Sequence, residues 1–112
     1  MADSKPVEFR GRSLDDLRAF PKEARREAGY QLDLVQQGRE PDDWKPMSAV
    51  GPAAKEIRIR DERGAFRVMY VAKFEHAVYV LHCFSKKTEK TSKADLEIAT
   101  RRYRELLQEL HQ

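Results

Sequence analysis

Alternating apolar and polar positions dominate the second half of this chain and predict strands. In Lys55-Glu-Ile-Arg-Ile-Arg60, Ile57 and Ile59 fall on one face and Arg58 and Arg60 on the other. A turn follows at Asp61-Glu-Arg-Gly64, where Gly64 can take positive φ. The second strand puts Phe66, Val68, Tyr70 and Ala72 on one face and Met69 and Val71 on the other. Lys73-Phe-Glu-His76 leads to a third strand, Ala77 to Phe84, in which Val78, Val80 and Phe84 oppose Tyr79, Leu81 and Cys83. Both faces are largely apolar, so the sheet is expected to be covered on both sides.

Helical spacing governs the flanks. Val7-Glu-Phe9 is a short strand candidate. Ser13-Leu-Asp-Asp16 loosely matches a capping box and opens a short helix through Phe20. Pro21 then fits the first turn of a second helix, with Ala24, Ala28, Leu32 and Val35 as its apolar stripe and Gly38 as its stop. Arg39 to Ala54, with Pro41, Pro46, Gly51 and Pro52, reads as a connector whose Trp44 and Met47 fold back onto the domain. After Thr91-Ser92, either of which could cap it, a last helix carries Leu96, Ala99, Tyr103, Leu106 and Leu110 on one stripe. Arg101, Arg102, Arg104 and Glu105 fall outside that stripe. The expected fold is α+β in the order βααβββα: a curved antiparallel sheet, an N-terminal α-hairpin and a C-terminal helix.

Length and charge narrow the picture. A chain of 112 residues suits a single domain, residues 1–112, with a modest core. Its net charge is only +3, but between residues 54 and 93 ten Lys or Arg face five Asp or Glu, an excess of +5. The basic excess thus lies in the strand region, as a footprint for a polyanion would. Cys83 is the only cysteine, which excludes an internal disulfide and reads as a small buried hydrophobe. The N-terminus has no apolar run of the kind a signal peptide needs, and no stretch approaches a membrane span. A cytosolic protein without membrane contact is the expectation.

The residue types suit RNA cleavage without metal. RNA carries its own nucleophile, the ribose 2′-OH; an enzyme must help deprotonate it, stabilise the charge on the phosphorane and protonate the leaving 5′-oxygen. Arg and Lys can supply phosphate stabilisation, and a lysine crowded by cations can act as a base. His82, inside a strand, is a candidate for proton transfer, as is Tyr70, although each also reads as a packing residue. No metal-ligand spacing and no glycine-rich phosphate loop is present, so no cofactor is expected.

Three segments together resemble the RelE/HigB family of bacterial toxins, in its phage-derived branch. They are Glu56-Ile-Arg-Ile-Arg60, Gly64-Ala-Phe-Arg67 and Ser85-Lys-Lys-Thr-Glu-Lys-Thr91, and the likeness extends over roughly residues 7 to 110. The resemblance places Arg58 and Arg60 at the family's basic strand positions and Arg67 at the arginine used on the scissile phosphate. Lys86 and Lys87 fall at its basic cluster, and Glu56 falls where some members have a lysine. Some members carry a tyrosine or histidine near the C-terminus for proton transfer; here Tyr103 lies on a packing stripe, which leaves the acid unassigned.

What the resemblance implies is a toxin of a type II toxin–antitoxin pair, a ribosome-dependent mRNA endoribonuclease. Its catalytic set would be Arg67, Arg58, Lys86 and His82, with Arg60, Lys55, Lys87, Lys90 and Tyr70 on the RNA. Its partner would be a cognate antitoxin, a helix-turn-helix protein encoded next door. Two alternatives stand beside it: a ParE-like toxin that acts on DNA gyrase without catalysis, and an inactive RNA-binding phage remnant. On the leading reading, Arg67→Ala removes toxicity and leaves the fold intact.

Overall fold

The computed structural model describes residues 4–88 and 90–111. Its elements run β1 (Val7–Phe9), α1 (Ser13–Arg18), α2 (Lys22–Gln36), β2 (Trp44–Pro46), β3 (Ala54–Asp61), β4 (Gly64–Val71), β5 (Val78–Lys86) and α3 (Lys93–Leu110). Among the described residues the strands form a curved sheet in the order β1-β5-β4-β3-β2. The expected α+β order is present with two differences. β1 pairs with β5 in parallel, so the sheet is mixed. Trp44–Pro46, expected in a connector, is an antiparallel edge strand on β3, a position that tolerates the N–H that Pro46 lacks.

The helix ends follow local chemistry, not always as the sequence suggests. Ser13 does not cap α1; it is buried, and its hydroxyl donates to the Val80 carbonyl at 3.2 Å, tying α1 to β5. Pro21 precedes α2 as its N-cap instead of occupying its first turn. Gly38 ends α2 with φ +83°, and the amides of Gly38 and Arg39 return to the carbonyls of Val35 and Leu34, each at 3.0 Å. Ser92 caps α3, accepting from the Asp95 amide at 3.1 Å.

Two cores sandwich the sheet, as its doubly apolar strands require. On one face Leu17, Phe20, Ala24, Ala28, Leu32 and Val35 of the hairpin pack on Ile57, Ile59, Phe66, Val68 and Tyr70. On the other, Ala99, Tyr103 and Leu106 of α3, with Met47 and Val50, cover Met69, Val71, Tyr79 and Leu81. Leu110, expected at the end of the α3 stripe, is exposed. Burial drives the Cys83 thiol well above its usual pKa, in keeping with a small buried hydrophobe.

An extra residue in β5 decides which side chains meet on each face. Met69 pairs with His82 but Tyr70 pairs with Val80, so Leu81 is a bulge residue. Beyond it the alternation inverts. Cys83 joins the hairpin core and Phe84 the α3 core, the reverse of strict alternation. Arg102, half-buried on α3, donates to the Leu81 carbonyl at 2.9 Å and satisfies the bulged backbone. Lys86 is carried by the same inversion onto the α3 face.

Candidate nucleic-acid interface

Three rows run across β3, β4 and β5 on the α3 face. The register aligns Glu56 with Met69 and His82, Arg58 with Arg67 and Phe84, and Arg60 with Ala65 and Lys86. The helix α3 begins beside the first row, where His82 Nε2 meets Asp95 Oδ1 at 2.7 Å. The second row borders the helix, with Phe84 still in the α3 core, and the third row lies beyond it. There the sheet is open, and the small Ala65 leaves a groove of about 620 Å³ lined by Arg58, Arg60, Arg67, Lys86, Lys87 and Thr88.

That groove gathers five cations and is lined by no carboxylate among the described residues. Close beneath it lies the carboxylate of Glu56, with 0% exposure. Its Oε1 lies 3.4 Å from Arg67 Nε and 3.8 Å from Lys45 Nζ, and its Oε2 accepts from the Thr91 hydroxyl at 3.2 Å. Arg67 is itself only 3% exposed, and its Nη1 donates to the Phe66 carbonyl at 3.0 Å. Burial lowers the Arg67 pKa, with Arg58 and Arg60 adding to the effect and Glu56 opposing it. Burial also lowers the pKa of Lys86, and Arg67, Lys45 and Arg58 push the same way. A lysine held in this state gives up its proton more readily than one in water.

Of the nine residues the sequence singles out, five meet here: Arg58, Arg60, Arg67, Lys86 and Lys87. Lys55 and Tyr70 do not. They are register partners on the hairpin face, opposite the groove, and line a separate cleft with Lys5, Arg39 and Glu40. Lys55 is held there by Glu40 at 2.9 Å and lies 4.4 Å above the Trp44 ring. Burial raises the Tyr70 pKa far above the range of a general acid at neutral pH. His82 is buried against Phe84, with ring centroids 4.9 Å apart, and its Nε2 is committed to Asp95 at the start of α3. Lys90 is exposed on the segment between β5 and α3 and does not line the groove.

Three residues of this neighbourhood escaped the sequence reading. Glu56 shares its strand parity with Arg58 and Arg60, a signal that places it on the right face but does not reveal its burial. Lys45 belongs to the unforeseen β2, opposite Glu56. Thr91 has no sequence signal beyond its position near a cap. Among the described residues no group of three or more His, Cys, Asp or Glu is arranged to hold a metal ion, and no helix is long and apolar enough to cross a membrane.

Comparison with known proteins bears on the same region. The model of the family described as "Phage derived protein Gp49-like (DUF891)" matches residues 15–104, which hold every groove residue. No curated protein matches the sequence. Among solved structures, a free-state double arginine-to-alanine mutant of the E. coli toxin RelE superposes with a TM-score of 0.63 at 16% identity. The match covers 92% of this chain and 98% of that one. At that identity the likeness is one of fold.

Proposed function

The chain belongs to the phage-derived Gp49-like family, and from that premise we propose that it is the toxin of a type II toxin–antitoxin pair, an endoribonuclease cutting mRNA on the ribosome in the cytoplasm. The observation that carries this reading is the groove of Arg58, Arg60, Arg67, Lys86 and Lys87 on an otherwise covered sheet. The RelE-like fold supports it.

Each groove residue has a chemical part. Arg67, backed by Glu56, presents its remaining guanidinium donors to the scissile phosphate, and Arg58, its register partner, adds a second fork. These two stabilise the phosphorane formed when the 2′-OH attacks. Lys86, its pKa lowered, takes the 2′-OH proton. Arg60 and Lys87, at the rim, hold neighbouring phosphates. With His82 tied to Asp95 and Tyr70 on the far face, water or Lys87 delivers the proton to the leaving 5′-oxygen. The ribosome aligns the message, so the protein need not supply the whole alignment itself.

The partner on this reading is an antitoxin with acidic side chains that covers the basic face, a helix-turn-helix protein encoded beside it. The test is induction in bacteria followed by mapping of RNA 5′ ends. Growth arrest with cuts inside translated frames is the expected result. Growth arrest with gyrase-linked DNA breaks and no such cuts would replace it with the gyrase reading.

A further inference from the structure

Glu56 is the most deeply buried charged side chain among the described residues. The side chain is fully buried, so it cannot touch a phosphate or take a proton from a ribose hydroxyl in the groove above it. It still faces the residue on which the groove depends. Arg67 Nε approaches Glu56 Oε1 at 3.4 Å, without the alignment of a hydrogen bond, and neither atom has another hydrogen-bond partner among the described residues. On the carboxylate's other side, the Thr91 hydroxyl donates to Oε2 at 3.2 Å. Thr91 ends the segment that leaves β5 through Lys86, Lys87 and Thr88, the groove's far wall.

An ionised carboxylate at such a depth is costly unless its neighbours need it. These neighbours do. Arg58 and Arg67 are directly opposite in the register, and like charges so placed repel. Without Glu56, only the Phe66 carbonyl at Nη1 would hold the Arg67 guanidinium against that repulsion, and its remaining donors would lose their fixed aim. A planar guanidinium pulled from its Nε side by a buried anion keeps its far edge directed at the groove. The Thr91 bond fixes the carboxylate itself, so the anion does not shift beneath Arg67.

We infer that Glu56 is a positioning residue for RNA cleavage: buried beneath Arg67 and anchored on its other side by Thr91, it aims the Arg67 guanidinium at a scissile phosphate. The inference rests on the reading of the groove as an RNA-cleaving site. Its signature is a split between binding and rate. Glu56 lowers the positive potential of the groove, so removing its charge tightens binding of a polyanion. If Glu56 aims Arg67, the same change slows cleavage, because a misplaced donor stabilises the transition state poorly.

The experiment uses the full chain and the Glu56→Gln variant, which keeps the shape and removes the charge. Three quantities are read: binding of a 2′-deoxy-substituted single-stranded RNA that cannot be cut, single-turnover cleavage of mRNA on programmed ribosomes, and solvent exchange of the Arg67 Nε–H by NMR. The expected result is binding several-fold tighter, cleavage slower by about 10²-fold, and an Arg67 Nε–H that exchanges slowly in the wild type and quickly in the variant. Cleavage at the wild-type rate with an unchanged Arg67 signal would overturn the inference. If the wild type itself cleaves nothing, the nuclease reading fails, while the Arg67 signal still decides whether Glu56 fixes that side chain. Should the Gln variant not fold, Glu56→Asp, which keeps the charge but withdraws it by one methylene, takes its place; an unchanged rate there would likewise overturn the inference.

Discussion

Arg58 and Arg67 stand directly opposite each other across β3 and β4, two arginines in register on one face of a sheet. Like charges so placed oppose folding by a few tenths of a kcal/mol or more. The two are not equivalent. Arg58 is exposed, whereas Arg67 is buried against Glu56 and bonded to the Phe66 carbonyl. Arg58→Ala should therefore leave stability unchanged or slightly raised while slowing cleavage by about 10²–10³-fold, as loss of a transition-state donor does. Arg67→Ala should slow cleavage as well but also cost about 3–5 kcal/mol, because Glu56 is left buried with its main counter-charge gone. The burial of Glu56 thus predicts a loss of stability for Arg67→Ala, where the sequence alone suggested an intact fold. Paired melting curves and cleavage rates check both variants.

Lys86 makes the groove sensitive to pH. Burial and the neighbouring arginines hold its pKa below the usual 10.5, so its neutral form grows in as pH rises toward that value. The single-turnover rate should rise with pH through the Lys86 pKa, and Lys86→Gln should flatten the profile. Stability follows the same direction. The unfolded chain binds this proton more tightly, so the cost of charging Lys86 in the fold is present below its folded-state pKa and fades as pH climbs toward 10.5. A cleavage profile identical in wild type and Lys86→Gln would remove Lys86 as the base.

His82 should prove structural. Its link to Asp95, which also accepts from the Ser92 hydroxyl at 2.7 Å, anchors the start of α3 to β5. His82→Phe should lower stability by at most about 1.5–3 kcal/mol, less if water reaches the half-buried Asp95, and should leave cleavage near the wild-type rate below the melting transition. A variant with an unshifted melting temperature and no cleavage would restore the proton-transfer role.

Much of this site was legible in strand parity alone. Ile57 and Ile59 already set Arg58 and Arg60 on the opposite face from themselves, and Gly64 marked the turn into β4. Parity also put Lys55 with Ile57 and Tyr70 with Val68, away from the arginines; counting cations along the chain obscured what the alternation said. The bulge at Leu81 had no comparable signal, since one inserted residue reverses every later position of β5, and Lys86 reaches the groove only through that reversal. Trp44-Lys-Pro46 lies among prolines and is too short to show a period, so β2 and its Lys45 were hidden. The burial of Glu56 arises from tertiary contacts with Arg67, Lys45 and Thr91, distant in sequence and brought together only by the fold.

The separation of the two faces can be read from salt dependence. If single-stranded RNA lies along the groove and neutralises all five cations, log K for the uncleavable oligonucleotide should fall with log salt at a slope near −3.5, about 0.7 per phosphate contact. Replacing Arg60 or Lys87 by Ala should reduce the slope by about 0.7 each, because both are exposed rim cations whose purpose is phosphate contact. Lys55→Ala should change neither slope nor affinity, since Lys55 points to the hairpin face and is already paired with Glu40. Its effect should be limited to the exposed ion pair and the Trp44 contact, within about 1 kcal/mol of stability. An acidic antitoxin that covers the groove would show the same pattern in its association rate, falling with salt for the wild type and less steeply for the rim variants. Equal losses for Lys55→Ala and Lys87→Ala would mean that the RNA wraps both faces, and the groove would then be only part of the binding surface.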